Sequence, residues 1–244
     1  MRNIKCVIAY DGSGFSGWQV QAGARTVQGV VEDAVSTIVG HPVRVTASGR
    51  TDAGVHALGQ VIHFPTGSAV PLEGLVRGVN SVLPGDVAVQ SAVDAPLDFH
   101  ARYMARSKTY IYVMDTSPLR NPFLDRYAFH VGAPLDVDAM GAAASLLKGE
   151  HDFASFQATG TEVKSTVRTI TAAAVFMKGY KVYVWMQGSG FLRHMVRNIV
   201  GTLLLVGRGR IDPAGMQRIV EQRDRSHAGP TAPPQGLYLA GVDY

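Results

Sequence analysis

Apolar residues along this chain fall into two spacings, and the spacings succeed one another in a single order that occurs twice. A period of two marks a strand and a period near 3.6 marks a helix. The first half predicts a strand over Ile4 to Tyr10, then a helix on Val27, Val30, Val31, Ala34, Val35 and Ile38. Thr26 is placed to cap that helix and Gly40 to end it. Strands over Pro42 to Ala47 and Gln60 to Phe64, a helix on Leu72, Leu75, Val76 and Val79, and a strand over Val87 to Val93 follow. The second half predicts a strand over Thr109 to Met114 and a helix on Val137, Met140, Ala143, Ala144 and Leu147. Strands over Ile170 to Met177 and Val182 to Met186 flank the turn Lys178-Gly179-Tyr180-Lys181. An amphipathic helix on Leu192, Met195, Val196, Ile199, Val200 and Leu203, a short helix over Pro213 to Glu221, and a closing strand over Leu237 to Val242 complete the chain. Each half reads β-α-β-β-α-β, the split βαβ order of ferredoxin-like folds. The expected class is α+β. Two ferredoxin-like halves, residues 1–105 and 106–244, carry antiparallel sheets with helices on one side and the other sheet faces left free for a cleft. The proline-bearing stretch Thr116 to Pro134 is the expected joint.

Composition supports a packed core, with 46% hydrophobic and 17% charged residues. There is no apolar run of roughly 18 residues, as a transmembrane helix requires, and Met1-Arg2-Asn3-Ile4-Lys5 is no signal-peptide start. The expected compartment is the cytoplasm, with no membrane partner. The single cysteine, Cys6, excludes an internal disulfide and a multi-cysteine metal site, and its apolar surroundings mark it as a small buried hydrophobe. Net charge is +4. From Val163 to Ile211 there are eight Lys or Arg and no acid, and Arg102, Arg106 and Lys108 lie between Asp98 and Asp115 without one. Such a bias suits an anionic partner.

Three segments carry candidate chemistry. Ser48-Gly49-Arg50-Thr51-Asp52-Ala53-Gly54-Val55-His56-Ala57 lies between two predicted strands. Its glycines permit a tight turn and close approach of a ligand, and a guanidinium near Asp52 would hold that carboxylate ionised for work as nucleophile or base. A plain Asp-Gly turn is the alternative. In the second segment, Gly188-Ser189-Gly190 opens the predicted helix, on which Arg193 and Arg197 are four residues apart and share a face directed away from the core. An anion would be well served there, although two solvated arginines would fit as well. The third segment is Lys108-Thr109-Tyr110-Ile111-Tyr112. If Ile111 faces the helices, both tyrosines face the open side of the sheet, where bases could stack. The loop Asp11 to Gly17 lacks the lysine ending of a phosphate-binding loop. His56 and His63 read as core or surface residues, and no metal is expected.

These segments resemble the tRNA pseudouridine synthase A (TruA) family over nearly the whole chain. Tyr10-Asp11-Gly12 with Phe15, Gly17, Trp18 and Gln19 looks like its opening motif, and Gly49 to Ala57 like its signature loop. Phe99, Ala101, Arg102, Lys108, Tyr110 and Tyr112 fit its middle. His151-Asp152-Phe153, Arg168-Thr169-Ile170, the helix from Phe191 to Gly201 and Gly236-Leu237-Tyr238-Leu239 fit its second half. Ser13-Gly14 departs from the usual opening motif. The resemblance implies an enzyme converting uridines at positions 38, 39 and 40 of the tRNA anticodon stem-loop to pseudouridine, as a homodimer, without cofactor or metal. It implies Asp52 as catalytic nucleophile, Tyr110 as a contact to the target base and acceptor of its C5 proton, and Arg50 and Arg197 in the same pocket, Arg197 pairing with the aspartate. Leu237 supports that pocket, and Arg25, Arg102, Lys108, Arg193 and His194 are the remaining expected RNA contacts. The residues themselves leave a non-catalytic RNA-binding protein open. A nucleoside hydrolase would want a second carboxylate near Asp52, and none is near in sequence.

Overall fold

The computed structural model describes residues 1–160 and 163–244. It divides into two compact units, Met1–Arg106 with Tyr238–Tyr244, and Ser107–Leu237. Two parts of the expected organisation differ from this division. Thr116 to Pro134 is not the joint but lies inside the second unit, and the closing strand does not belong with the second half. That strand, Leu237–Asp243, pairs in parallel with a strand of the first unit.

The first unit runs β1 (Arg2–Tyr10), α1 (Val27–Val39), β2 (Thr46–Ala47), β3 (His56–Thr66), α2 (Leu72–Val82) and β4 (Val87–Ala95). Its sheet order is β4-β1-β3-β2, all antiparallel, with the closing strand parallel to the start of β3. This is the β-α-β-β-α-β arrangement read from the spacing. Thr26 caps α1 by accepting the Gly29 N–H, and Gly40 ends it at φ 79°; a cap of this kind contributes about 1 kcal/mol. Ile4, Cys6, Ile8 and Tyr10 are buried, and burial pushes the Cys6 thiol up to about 12, the behaviour of an inert core residue. The opposite sheet face is not left free, as expected, because the segment after β4 lies across it. Phe99 and Ala101 pack with Val61 there, Asn3 donates to the carbonyls of Pro96 and Phe99, and Tyr244 donates to Ala101.

The second unit runs β5 (Ser107–Asp115), β6 (Phe129–His130), α3 (Val137–Ser145), β7 (Gly149–Asp152), β8 (Val167–Lys178), β9 (Lys181–Gly188), α4 (Met195–Gly207) and α5 (Gly215–Gln222). Its sheet order is β5-β9-β8-β7, antiparallel, with β6 parallel to the end of β5. β7 is a strand the spacing missed; four residues are too few to show alternation. Registers Tyr110↔Met186, Tyr112↔Val184 and Met114↔Val182 put these six side chains on one sheet face, where all but Tyr110 are fully buried. The tyrosines therefore lie on the core side and Ile111 on the other, the reverse of the expected orientation.

The helix α4 also differs from its reading. Eleven of its thirteen residues are buried, so it is a central helix and not an amphipathic surface one. Its neighbours account for this. α3 packs on it, and the tail folds over it, with Gly229 donating to Thr202 Oγ1 and Ala232 to the Arg197 carbonyl. Among the described residues no helix is long and apolar enough to cross a membrane.

Candidate active site

In the first unit, register brings two loops together. Tyr10 pairs with Ala57 at the end of the β1–β3 ladder, so the loop after β1 meets the loop before β3. Three hydrogen bonds tie the two. Tyr10 Oη and Thr51 Oγ1 lie 2.8 Å apart in the core, the Trp18 N–H donates to the Thr51 carbonyl at 3.0 Å, and the Gly12 N–H donates to His56 Nδ1 at 3.1 Å. Burial pushes the Tyr10 hydroxyl up to about 12, so it stays a neutral partner. Gly12 has no space for a side chain: a Cβ there would lie 2.0 Å from the Val55 carbonyl oxygen. From the sheet side, Ser48 donates to Gln60 Oε1 and Gln60 Nε2 donates to the Gly49 carbonyl. Inside the loop, Val55 N–H donates to the Asp52 carbonyl at 3.2 Å.

The result is a backbone held on both sides of Asp52, whose side chain is half-buried. His56 is 2% exposed and stacks on Tyr238 of the closing strand at 4.7 Å. It is a polar core residue with a structural task, one reason for the signature loop's histidine that sequence reasoning did not supply. Arg50 is exposed and forms no ion pair among the described residues, so the expected Arg50 guanidinium against Asp52 is not formed. The reason is direction: Gly49 is held inward by Gln60 while the next side chain points to solvent. Arg25 is committed elsewhere. Its guanidinium makes a two-pronged pair with Asp86 at 2.8 and 2.9 Å and lies 4.0 Å over the Phe15 ring. The Asp86 carboxylate raises its pKa further, and its charge is already compensated within the protein. Arg102 is exposed, with its guanidinium 5.8 Å from the Tyr103 ring.

In the second unit, Tyr110 is half-buried near the start of β5 and meets Phe191 edge-on at 5.0 Å. Lys108, two residues earlier, is half-buried on the same strand face. Tyr112 is core: its hydroxyl donates to the Pro233 carbonyl at 2.7 Å. Burial drives its pKa far above the ordinary tyrosine range, while the Arg197 charge acts the other way, which places that guanidinium near the tyrosine. Gly236 explains part of the C-terminal motif, since a Cβ there would meet the Tyr112 ring at 2.7 Å. Leu237 is buried, 6% exposed. Arg197 Nε donates to the Ala232 carbonyl at 2.7 Å, so it fastens the tail across α4. Arg193 and Arg197 do not share a helix face, because α4 begins at Met195 and His194 is its cap in the left-handed conformation at φ 61°. That reversal turns Arg193 out of the helix, where it is exposed. Among the described residues, no group of three or more His, Cys, Asp or Glu is arranged to hold a metal ion.

The family model described as tRNA pseudouridine synthase matches residues 6–104 and 143–244. The chain is 46% identical to tRNA pseudouridine synthase A of Geotalea uraniireducens over 244 residues, covering 100% of both chains. It is 44% identical to tRNA pseudouridine synthase A of Caldicellulosiruptor bescii over 244 residues, again 100% of both. Among solved structures, an H/ACA RNP bound to a substrate RNA containing 2'-deoxyuridine aligns with a TM-score of 0.39 at 14% identity, over 83% of this chain and 44% of that one.

Proposed function

This chain belongs to the tRNA pseudouridine synthase family, and we propose that it isomerises uridines at positions 38, 39 and 40 of the tRNA anticodon stem-loop with Asp52 as nucleophile. The observation that carries the assignment of Asp52 is the clamped loop. Asp52 is the only carboxylate between Asp33 and Glu73, and its backbone is pinned through Thr51, Val55 and His56. Fixed geometry of this kind is what turns a weak nucleophile into an effective one, because orientation is settled before the substrate arrives.

The reaction moves one bond. Attack of the carboxylate on C1′ expels the base, with N1 taking the bonding pair. The base turns, C5 closes on C1′ as the carboxylate leaves, the C5 proton passes to a base, for which we propose Tyr110, and N1, which kept the bonding pair, takes up a proton. In the other route open to the same carboxylate, Asp52 removes the C2′ proton. Either way product and substrate are isomers, so no co-reactant enters. A base paired in a stem must leave it before C1′ can be reached, and Arg50 and Arg197 are proposed to act on the extruded nucleotide. Release of tritium from [5-³H]uridine-labelled tRNA tests the reading. Asp52→Asn keeps the size of the side chain and removes the anionic oxygen. It is expected to abolish release without weakening tRNA binding, since one fewer negative charge does not disfavour a polyanion. Turnover of Asp52→Asn near the wild-type rate would sink the assignment.

A further inference from the structure

The second unit holds a cavity of about 390 Å³ lined by Ala158, Thr159, Arg193, His194, Asn198, Arg225 and Thr231. Among the described residues, no carboxylate is in its wall. Asn198, Arg225 and Thr231 form a hydrogen-bonded frame on one side of it. Asn198, fully buried on α4, donates to the Phe156 carbonyl at 2.8 Å and accepts from Thr231 Oγ1 at 2.6 Å. Arg225 reaches in from a short turn and donates to Asn198 Oδ1, Thr231 Oγ1 and the Ala228 carbonyl at 3.2 to 3.3 Å. All three of those acceptors are neutral, and among the described residues no carboxylate pairs with Arg225. Arg193 stands opposite with its backbone carbonyl fixed by the Ala158 N–H at 3.0 Å, and its guanidinium has no acidic partner among the described residues. Between them is His194, one of two non-glycine residues at positive φ among those described. A backbone held in that region costs about 1 kcal/mol or more and persists where the surroundings enforce it; here it is what turns Arg193 toward the cavity and away from the axis of α4.

We propose that this cavity binds one phosphodiester group of the RNA backbone, with Arg193 and Arg225 as its charge partners. The proposal rests on the tRNA reading above and adds to it a positioning contact that carries no sequence information. The half-buried Arg225, held by neutral acceptors, and the exposed Arg193 both border the cavity, where a single anion would accept charge-assisted hydrogen bonds from each. Arg225 entered no expectation from the sequence, because the acid-free run ends before it and Asp224 stands next to it. Asp224 turns away and accepts from Ser226 N–H.

The test uses the full chain and an unmodified tRNA transcript. Arg193→Gln, an exposed position, is expected to raise the dissociation constant roughly tenfold. It should also lower the slope of log affinity against log salt by about 0.9, the contribution of one phosphate. Arg193→Lys, which keeps the charge, should restore the slope. In a stem-loop series with one neutral methylphosphonate at each linkage in turn, one linkage should weaken wild-type binding and leave Arg193→Gln unaffected. A wild-type protein that binds, with an Arg193→Gln slope equal to its own or with no such linkage, overturns this proposal alone. A wild-type protein that does not bind the transcript overturns the tRNA reading together with it.

Discussion

Gly12→Ala isolates the clamp beneath Asp52. Gly12 is not among the glycines at positive φ, so its backbone suits alanine and the cost is steric alone. The added Cβ would lie 2.0 Å from the Val55 oxygen, 2.5 Å from its carbonyl carbon and 3.0 Å from its nitrogen, against 3.4–4 Å for an ordinary contact. All three are backbone atoms and cannot swing aside. Val55 has to retreat by roughly 1 Å or more, and its N–H carries the Asp52 carbonyl with it. Forcing a methyl group into packed surroundings costs about 1–3 kcal/mol, which for a chain of this size lowers the melting temperature by about 2–12 °C. The catalytic cost should be larger, because a misplacement of about 1 Å can remove a factor of roughly 100 in rate. Single-turnover pseudouridine formation and a thermal melt are measured on the same preparation, beside Gly85→Ala, where a Cβ meets nothing within 4 Å. Wild-type rate and melting temperature in Gly12→Ala would refute the clamp as drawn. A lowered melting temperature with a wild-type rate would show that the clamp holds the fold without positioning Asp52.

Two further outcomes follow from buried polar groups. Tyr112→Phe removes the donor to the Pro233 carbonyl and leaves that oxygen without its partner, for about 1–3 kcal/mol; chemical denaturation should show a lowered midpoint, and an unchanged one would mean the tail is held without this bond. The second concerns acid stability. Burial, and then the nearby His100, lower the His63 pKa below its ordinary 6.5, so the unfolded chain takes up this proton more readily. Its contribution is present above about pH 6.5 and is lost as pH falls toward the folded value. His63→Gln should flatten that part of the melting curve against pH, and a slope identical to wild type would exclude His63 as its source.

The first unit is legible because its elements obey simple periods: its two helices, the threonine cap, the glycine stop and the strands β1 and β4 fall where the spacing puts them, whereas only Thr46–Ala47 of the strand expected from Pro42 is formed and β3 begins at His56, four residues before its expected start. What escaped the reading depends on partners distant in sequence. α4 shows an apolar stripe with Arg193 and Arg197 at helical spacing, but the spacing contains no sign of the cap at His194 or of the tail that covers the other side. The same holds for β5. Alternation shows that Tyr110 and Tyr112 share a face, and the register with Val184 and Met186 decides that this face is the core. The loop of Asp52 was conspicuous for its residue types; the reason it is rigid is written in Tyr10, Gly12 and Trp18, some thirty to forty residues upstream, and only the β1–β3 ladder brings them there.

Charge counted along the chain and charge arranged in space are different quantities, and the acid-free run from Val163 to Ile211 shows how they part. Arg168 spends one guanidinium nitrogen on the carbonyls of Ser165 and Val167, and burial lowers its pKa. Lys178 and Lys181 face each other across a hairpin, and Arg197 ties down the tail. Of the run's cations, Arg193 is the one that lines the cavity, and its companion there, Arg225, comes from outside the run. A count of like charges therefore predicts that salt will matter to RNA binding, whereas the number of phosphates held depends on which guanidinium groups the fold leaves without a carboxylate. For the cavity beside α4 that criterion selects Arg193 and Arg225, and it sets Arg25 aside, since Asp86 already occupies its fork.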